Sequence, residues 1–319
     1  MTTTAAAAPL GVMLHATVDM DTLLKALAAT IPHVGTDKSG PGCERLRVVL
    51  DVAGMRLCLL ATDSESAIMA SVPLSEVDDA VIIDDDGPGV RVVDRVDLDL
   101  SKGAAKTISA VFGRVGGETV RLDVPADGRS IQVTDVSGML AGRTVRVAAM
   151  GEWGPVDDAQ RVDAAAMIAH TCAAPLAPQT TYSLLLKTMS RWAPTAKALG
   201  VLPLRVTASG MGLVAYGDLA EAVGLVVLGC LRVYGTTDAV PAAEAAYDGP
   251  ATAILMDLLL DGAPVGGEAT EEVSHAMVPE RSAWLHEQDT DEDDVDTPTG
   301  DDDGDEPDDG DDTPGGDAA

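Results

Sequence analysis

The chain has 319 residues, of which 46% are apolar and 23% charged, and 52 acidic against 21 basic side chains give it a formal net charge of −31. Eight aromatic side chains are too few for a platform that stacks single-stranded nucleic acid, and the composition excludes the collagen, coiled-coil and knottin classes. Residues 287–319 carry 17 of the acids and no Lys or Arg, so the apolar core of about two domains must come from residues 1–286.

The first predicted unit combines a strand, a helix and three further strands. Apolar alternation indicates the strands, and Asp19 or Asp21 can cap the helix, which carries one apolar stripe. Pro73 is expected to end the last strand. The predicted elements are, in order, Val12–Val18, 19–31, 46–52, 55–63 and Ser66–Val72. Their order is β-α-β-β-β.

The same order recurs in a second unit. A Pro-Ala-Asp-Gly turn at 125–128 separates two of its strands. The predicted elements are the strand Asp94–Leu100, the helix Lys102–Val115 and the strands Thr119–Val124, Ser130–Thr134 and Thr144–Ala149. One unit is therefore used twice within residues 11–150.

A third copy is indicated by local self-similarity. LLKAL at 23–27 matches LLKTM at 185–189, and the Gly-Met pair at 54–55 matches the pair at 210–211. The predicted elements are the helix Tyr182–Trp192 and strands within 202–208, 211–218 and Ala222–Tyr234. Ala251–Leu260 is predicted to be the helix of a degraded fourth copy.

These repeats resemble a known family. The segment 46–74, LRVVLDVAGMRLCLLATDSESAIMASVPL, resembles the first half-domain of bacterial DNA polymerase sliding clamps, where an alanine-threonine-aspartate signature precedes the third strand. LSKGAAKTISAVFGRV at 100–115 stands where that family has its second helix, and RTVRVAAMGEWGPVDD at 143–158 is similar to its final strand and domain crossover. The resemblance covers residues 11–158 and, less closely, 180–234.

The resemblance implies an α+β fold of repeated β-α-β-β-β units, with helices lining a ring and sheets outside. Residues 1–10 are expected to be a flexible N-terminus, 11–158 the first clamp domain, 159–286 a second domain with a degenerate second half, and 287–319 a disordered acidic tail. Because the family closes rings of six domains, a two-domain chain implies a homotrimer. A shortened chain of this kind is expected in a phage or mobile element.

The function implied by the resemblance is that of a DNA polymerase processivity factor. Such a protein encircles duplex DNA without reading its sequence and tethers a replicative polymerase. Its expected partners are duplex DNA, the polymerase and a clamp loader. It needs no cofactor and carries out no reaction of its own.

The charge pattern is consistent with a DNA channel. The segments 19–34, 100–115 and 181–198 hold seven basic and two acidic residues, whereas the rest of 1–286 holds 14 basic and 33 acidic ones. Two pairs at i,i+4 spacing, Lys102/Lys106 and Lys187/Arg191, are expected to point outward together. The other interpretation is that these are ordinary solvated side chains on amphipathic helices. The candidate DNA-binding residues are Lys25, Lys102, Lys106, Arg114, Lys187, Arg191 and Lys197.

Other motifs predict neither a metal site nor an enzyme. The acidic run at 84–87 lacks the spaced ligands of a calcium loop and favours a solvated turn. Asp63 and Asp218 follow strands at matching repeat positions, which favours turn caps over a carboxylate pair. The five histidines are scattered, and no GxSxG, Walker or GxGxxG motif occurs.

The four cysteines lie far apart, without a CxxC or Cys/His cluster, and are expected to be reduced and buried. Lys25 is the first basic residue, and the longest apolar run, Ala222–Leu231, is half a membrane span. These features predict a cytoplasmic protein without a membrane segment.

Two other function classes stay open. The first is an acidic binding module or DNA mimic, whose negative surface would occupy a nucleic-acid-binding protein. The second is an enzyme with an unrecognised site. The acidic tail has two interpretations as well: it competes with DNA for the helix lysines, or it adds solubility only.

Overall fold

The structure is a computed structural model of the chain. It describes residues 12–78, 81–83, 90–92, 94–113, 118–125, 128–139, 142–151, 163–176, 182–207, 210–217, 224–235 and 244–260. Contacts divide the chain into a unit of residues 1–269 and a unit of residues 270–319, and every described residue belongs to the first. The predicted flexible N-terminus, the acidic run at 84–87 and the acidic tail lie outside the described residues.

The first predicted β-α-β-β-β unit is confirmed. Its elements are β1 (Val12–Asp19), α1 (Met20–Thr30), β2 (Arg45–Asp51), β3 (Arg56–Thr62) and β4 (Ser66–Asp78). The carboxylate of Asp19 caps α1 by accepting the backbone N–H of Thr22 at 2.7 Å. The prediction that Pro73 ends the last strand is wrong. Pro73 is the last β4 residue paired with β3 and Leu74 is the first paired with β1, so the missing N–H falls where β4 changes partner.

The second unit is also confirmed and pairs with the first. A hairpin of β5 (Val81–Ile83) and β6 (Val90–Val92) precedes it. Its elements are β7 (Arg95–Ser101), α2 (Lys102–Phe112), β8 (Thr119–Pro125), β9 (Ser130–Asp135) and β10 (Thr144–Ala148). The units exchange strands, because β1 pairs with β8 and β7 pairs with β2. Helices α1 and α2 contact each other, and we call these two half-units, whose strands pair with each other, the complete domain.

A third half-unit follows with the same order of elements. It begins after α3 (Ala164–Ala173) and β11 (Pro175–Leu176), and consists of β12 (Tyr182–Ser183), α4 (Leu186–Leu199), β13 (Leu204–Val206), β14 (Met211–Tyr216) and β15 (Val226–Arg232). Three further elements are β16 (Tyr234–Gly235), β17 (Glu244–Ala246) and α5 (Pro250–Leu260).

The predicted helix Tyr182–Trp192 is wrong at both ends. Tyr182 and Ser183 form a strand because they pair with β16. The helix continues past Pro194 because Thr195 and Leu199 extend its buried face onto the neighbouring α1. Tertiary packing here outweighs the cost of a proline in the helix.

The half-units share one continuous sheet. Strand β15 pairs antiparallel with β4, so the order across the sheet is β10-β9-β8-β1-β4-β15-β14-β13, with β3, β2 and β7 branching from β4. Side chains alternate between the two faces of these strands: Leu59 and Ile68 belong to one core, and Leu60 and Met69 to the other.

Each sheet face carries its own helices. Helices α1, α2 and α4 pack into the first core, whereas α3 and α5 pack into the second. The helix predicted at Ala251–Leu260 therefore exists, but its assignment to a fourth repeat is wrong, because Leu255 and Leu258 pack on the face opposite α1. The sheet face expected to be outermost is covered here by α3 and α5. We call α1, α2 and α4 the first helical layer, and α3 and α5 the second helical layer.

Candidate nucleic-acid interface

The first helical layer is a row of three helices with α1 in the middle, in contact with α2 and with α4. Each helix buries one stripe and leaves the opposite face exposed; in α2 the buried stripe is Ala105, Ile108 and Phe112. The three exposed faces form one surface on one side of the sheet.

The row is basic although the chain is strongly acidic. The three helices contain six basic residues and one acidic residue, and α2 and α4 contain no acid at all. Four of the basic side chains are exposed: Lys25, Lys106, Lys187 and Lys197. The predicted concentration of positive charge on the helices is thus present as a continuous feature of one face.

Lys25 is paired within its own helix. Its ammonium lies 2.7 Å from the carboxylate of Asp21, at i,i+4 spacing. The hydrogen bond and charge of Asp21 raise the pKa of Lys25. Both side chains are more than half exposed, so this is a surface ion pair that solvent screens.

Lys102 does not point outward as predicted. Its ammonium donates to the backbone carbonyl of Val34 at 2.6 Å, and its side chain is half-buried. Burial, and secondarily the charge of Lys106, lowers the pKa of Lys102. The prediction that Lys102 and Lys106 point outward together is wrong. Lys102 donates a hydrogen bond to the Val34 carbonyl in the turn after α1, and of the two side chains Lys106 alone is exposed.

Arg191 also turns inward. Its guanidinium contacts the buried carboxylate of Asp63, and burial lowers the pKa of Arg191. The same carboxylate caps the turn before β4, because it accepts the backbone N–H of Ser66 at 2.7 Å and its hydroxyl at 2.9 Å. The predicted turn cap at Asp63 is confirmed. The predicted outward direction of Arg191 is wrong, because its guanidinium forms an ion pair with the buried Asp63 carboxylate.

Of the remaining predicted site residues, two are exposed and two lie outside the described residues. Lys187 is 63% exposed, and its ammonium lies 3.7 Å from Glu65. Lys197 is exposed near the C-terminal end of α4. Arg114 and Asp218 lie outside the described residues.

A polar network joins the first and third half-units beneath this surface. The ring of buried His33 lies 3.1 Å from the hydroxyl of Ser66 and 3.1 Å from that of Thr195, and stacks edge-on against Trp192 at 4.4 Å. The Thr195 hydroxyl donates to the carbonyl of Ala29 in α1 at 2.8 Å. Burial, together with the charges of Arg191 and Lys102, lowers the pKa of His33 to about 3.

The network fixes α4 against α1. Gly229 makes this approach possible, since a Cβ there would lie 2.8 Å from the Trp192 ring and 2.8 Å from the Ala67 carbonyl. In the sequence, no local signal distinguishes His33 from the other four histidines, because its partners come from distant parts of the chain.

The second helical layer has the opposite character. Helices α3 and α5 contain no Lys or Arg, and Asp257 is the acidic residue of α5. Asp257 accepts from the guanidinium of Arg56 at 2.8 Å, which ties α5 to the edge of the first half-unit. Of the two layers, the first therefore contains all the Lys and Arg residues.

The part of the chain that the structure describes contains no cluster of His, Cys, Asp or Glu suited to a metal ion. All four cysteines are buried, as predicted. Among the same residues, no helix has the length and apolarity needed to cross a membrane.

Neither a family model nor a curated protein sequence matches the chain. Similar solved structures exist. The DNA polymerase III beta subunit of Thermotoga maritima is 12% identical with a TM-score of 0.44; the match covers 70% of this chain and 65% of that one, so this chain spans about two thirds of its length. The solved structures it resembles include sliding clamps.

Two further examples are a bacterial and a eukaryotic protein. The Helicobacter pylori beta clamp, solved with carprofen, is 12% identical with a TM-score of 0.47, and the match covers 73% of this chain and 70% of that one. The Proliferating Cellular Nuclear Antigen of Entamoeba histolytica is 9% identical with a TM-score of 0.44, with 70% of this chain and 100% of that one covered.

Proposed function

We propose that the chain is a sliding clamp, a ring-forming processivity factor whose first helical layer faces duplex DNA. It binds the duplex without reading sequence, holds a replicative polymerase on its template and is placed on DNA by a clamp loader. It carries out no reaction of its own and needs no cofactor.

The observation that carries the proposal is the separation of charge between the two helical layers. Four exposed Lys side chains and one acid, Asp21, lie on the first layer of a chain whose net charge is −31. A cationic surface made of Lys side chains on helices attracts phosphates and offers few groups that fix a base register. The acidic remainder repels DNA from other surfaces.

Ring formation is supported by an open sheet edge. Strand β10 is hydrogen-bonded to β9 on one side, and within the described residues no strand pairs with its other side. The internal joint of β4 with β15 shows how two such edges combine into a continuous sheet. An unpaired edge favours pairing with another chain, and the predicted trimer is the closure that two complete domains per chain would give.

The acidic binding module is the second candidate function. It is favoured by the chain's net charge of −31. A DNA mimic would need acidic side chains spaced like phosphates on its binding surface. The two functions therefore predict opposite partners for the first helical layer: DNA for a clamp and a basic protein for a mimic.

A charge-reversal variant tests the DNA surface. Lys106 and Lys197 are exposed and not diverted inward, so the double variant Lys106→Glu, Lys197→Glu should bind duplex DNA at least about tenfold more weakly. The slope of log affinity against log salt should fall by about two. Fluorescence anisotropy of a labelled duplex over a salt series measures both quantities.

The matched control makes the same charge change outside the first layer. Arg129 follows the turn after β8, and Arg205 lies near Tyr247 of the second core, 5.9 Å from its ring. The variant Arg129→Glu, Arg205→Glu should retain DNA affinity within about twofold after the common effect of net charge. Equal losses in the two variants would contradict the assignment of the first layer to DNA.

A further inference from the structure

Helix α4 exposes large apolar side chains, whereas α1 and α2 expose none. Leu186 is 83% exposed and Met189 52%, and the N-cap residue Leu185 is 44% exposed. The large apolar side chains of α1 and α2 are buried or half-buried. The third half-unit therefore presents a surface that its sister units cover.

The exposed residues lie on one flank of α4, turned away from α1. The Thr195 hydroxyl donates to Ala29, which places α1 against the Thr195 side of the helix. Leu186, Met189 and Ala193 follow the three- and four-residue spacing of one helical stripe, on the side of the helix opposite Thr195. The apolar stripe is thus the free side of the row of helices.

In the complete domain, each half-unit is completed by strands of the other half-unit. There, the strand before each helix pairs with the strand after the other helix: β1 with β8, and β7 with β2. In the third half-unit β12 pairs with β16, and β13 with β14. Among the described residues, no strand pairs with the second edge of β12, β13 or β16. The one contact there is an isolated bridge of Leu176 to Thr207, just beyond β13.

We propose that a second copy of this chain completes the third half-unit, with α4 packed against the partner's α4 about a twofold axis. In the complete domain, two half-units of the same kind pair in this way, and a twofold axis brings the apolar stripe of one copy onto the same stripe of the other. Helix α5, the predicted fourth helix, lies on the other sheet face and leaves the stripe uncovered.

The consequence is an assembly with an even number of chains. Within the described residues, each chain supplies two half-units that exchange strands and a third half-unit without such a partner, so the third half-units would combine in pairs. A six-domain ring then takes four chains instead of the three predicted from the sequence. The association itself does not depend on DNA binding, so it can fail or hold independently of the proposed function.

The first test is the native mass of the full chain by light scattering. We expect an even multiple of 32.7 kDa at micromolar concentration. In the variant Leu186→Asp, Met189→Asp the mass should fall by at least half, and the dissociation constant of the α4 contact should rise about 100-fold. The control Met139→Asp changes a fully exposed side chain after β9, and should leave the mass unchanged.

A crosslinking variant makes the test independent of folding defects. The four native cysteines are buried, so a new exposed thiol reacts on its own. Met189→Cys and Ala193→Cys should form covalent dimers under mild oxidation, whereas Thr107→Cys, exposed on α2, should not. An odd number of chains, a monomeric wild type, or an unchanged mass in the double aspartate variant would overturn the proposal. Intact association without DNA binding would overturn the proposed function alone.

Discussion

The two helical layers cover the same sheet with opposite chemistry. The first layer carries six basic side chains and one acid, and is fastened by a polar network around His33. The second layer has no Lys or Arg and packs through small and aliphatic side chains such as Ile168 and Leu255. Both layers bury apolar side chains against the sheet, so they differ in the charge of their exposed faces. Under the proposed function, the first layer faces DNA, whereas the second only packs on the sheet.

Truncating a large buried side chain in either helical layer should cause the greatest loss of stability. Trp192→Ala removes the side chain that packs against Gly229 and His33, and should lower the free energy of unfolding by about 3–5 kcal/mol. Leu255→Ala, fully buried in the second layer, should cost about 2–5 kcal/mol. Urea unfolding followed by circular dichroism measures both values.

One shared transition is expected in these variants, because both layers pack on the same strands. If Leu255→Ala left the main unfolding transition unchanged while Trp192→Ala shifted it, the second layer would unfold separately from the first. The two layers would then be independent folding units.

The first domain was predictable because its signals are local. Alternating strands and a helix capped by Asp19 can be identified from neighbouring residues alone, and the structure confirms them. Helix α3 has the sequence AAAMIAHTCA, which is small or apolar nearly all round and has no helical period to detect. Helix α5 is as uniformly apolar, so its sequence could not indicate which sheet face it would cover.

The candidate site was half predictable for a similar reason. The excess of basic residues on three helices is visible in the sequence, but the direction of each side chain depends on distant partners. Lys102 is captured by the Val34 carbonyl and Arg191 by the Asp63 carboxylate. The exposed apolar stripe of α4 carries no sequence signal that separates it from a core stripe.

The stability of the first helical layer should depend on pH, because buried His33 belongs to the network that holds α4 against α1. Folding holds the pKa of His33 near 3, whereas the unfolded chain takes up this proton near pH 6.5. Below pH 6.5 protons bind the unfolded chain preferentially, so the free energy of unfolding should fall by about 1.4 kcal/mol per pH unit until about pH 3.

His33→Gln removes the titrating group and keeps a polar side chain. The difference between wild-type and variant unfolding free energies, measured in urea from pH 7 to pH 4.5, isolates this residue from the carboxylates. A difference that stays constant with pH would show that His33 titrates normally and that the network does not exclude its proton.

The smallest expected effect comes from the tail. A chain ending at His286 loses 17 acidic residues and should keep its unfolding free energy and native mass, because residues 287–319 offer almost no apolar surface. If the tail competes with DNA for the first layer, the shortened chain should bind duplex more tightly at low salt, with the difference shrinking as salt rises. Equal affinity at every salt concentration would leave the tail a solubility role.

We propose that the first helical layer lines a closed ring around DNA. Negative-stain electron microscopy of the full chain, at a concentration where light scattering shows the assembled species, would make such a ring visible. We expect class averages of a closed ring with a central hole wide enough for a duplex. Compact particles without a hole, or monomers alone, would contradict it.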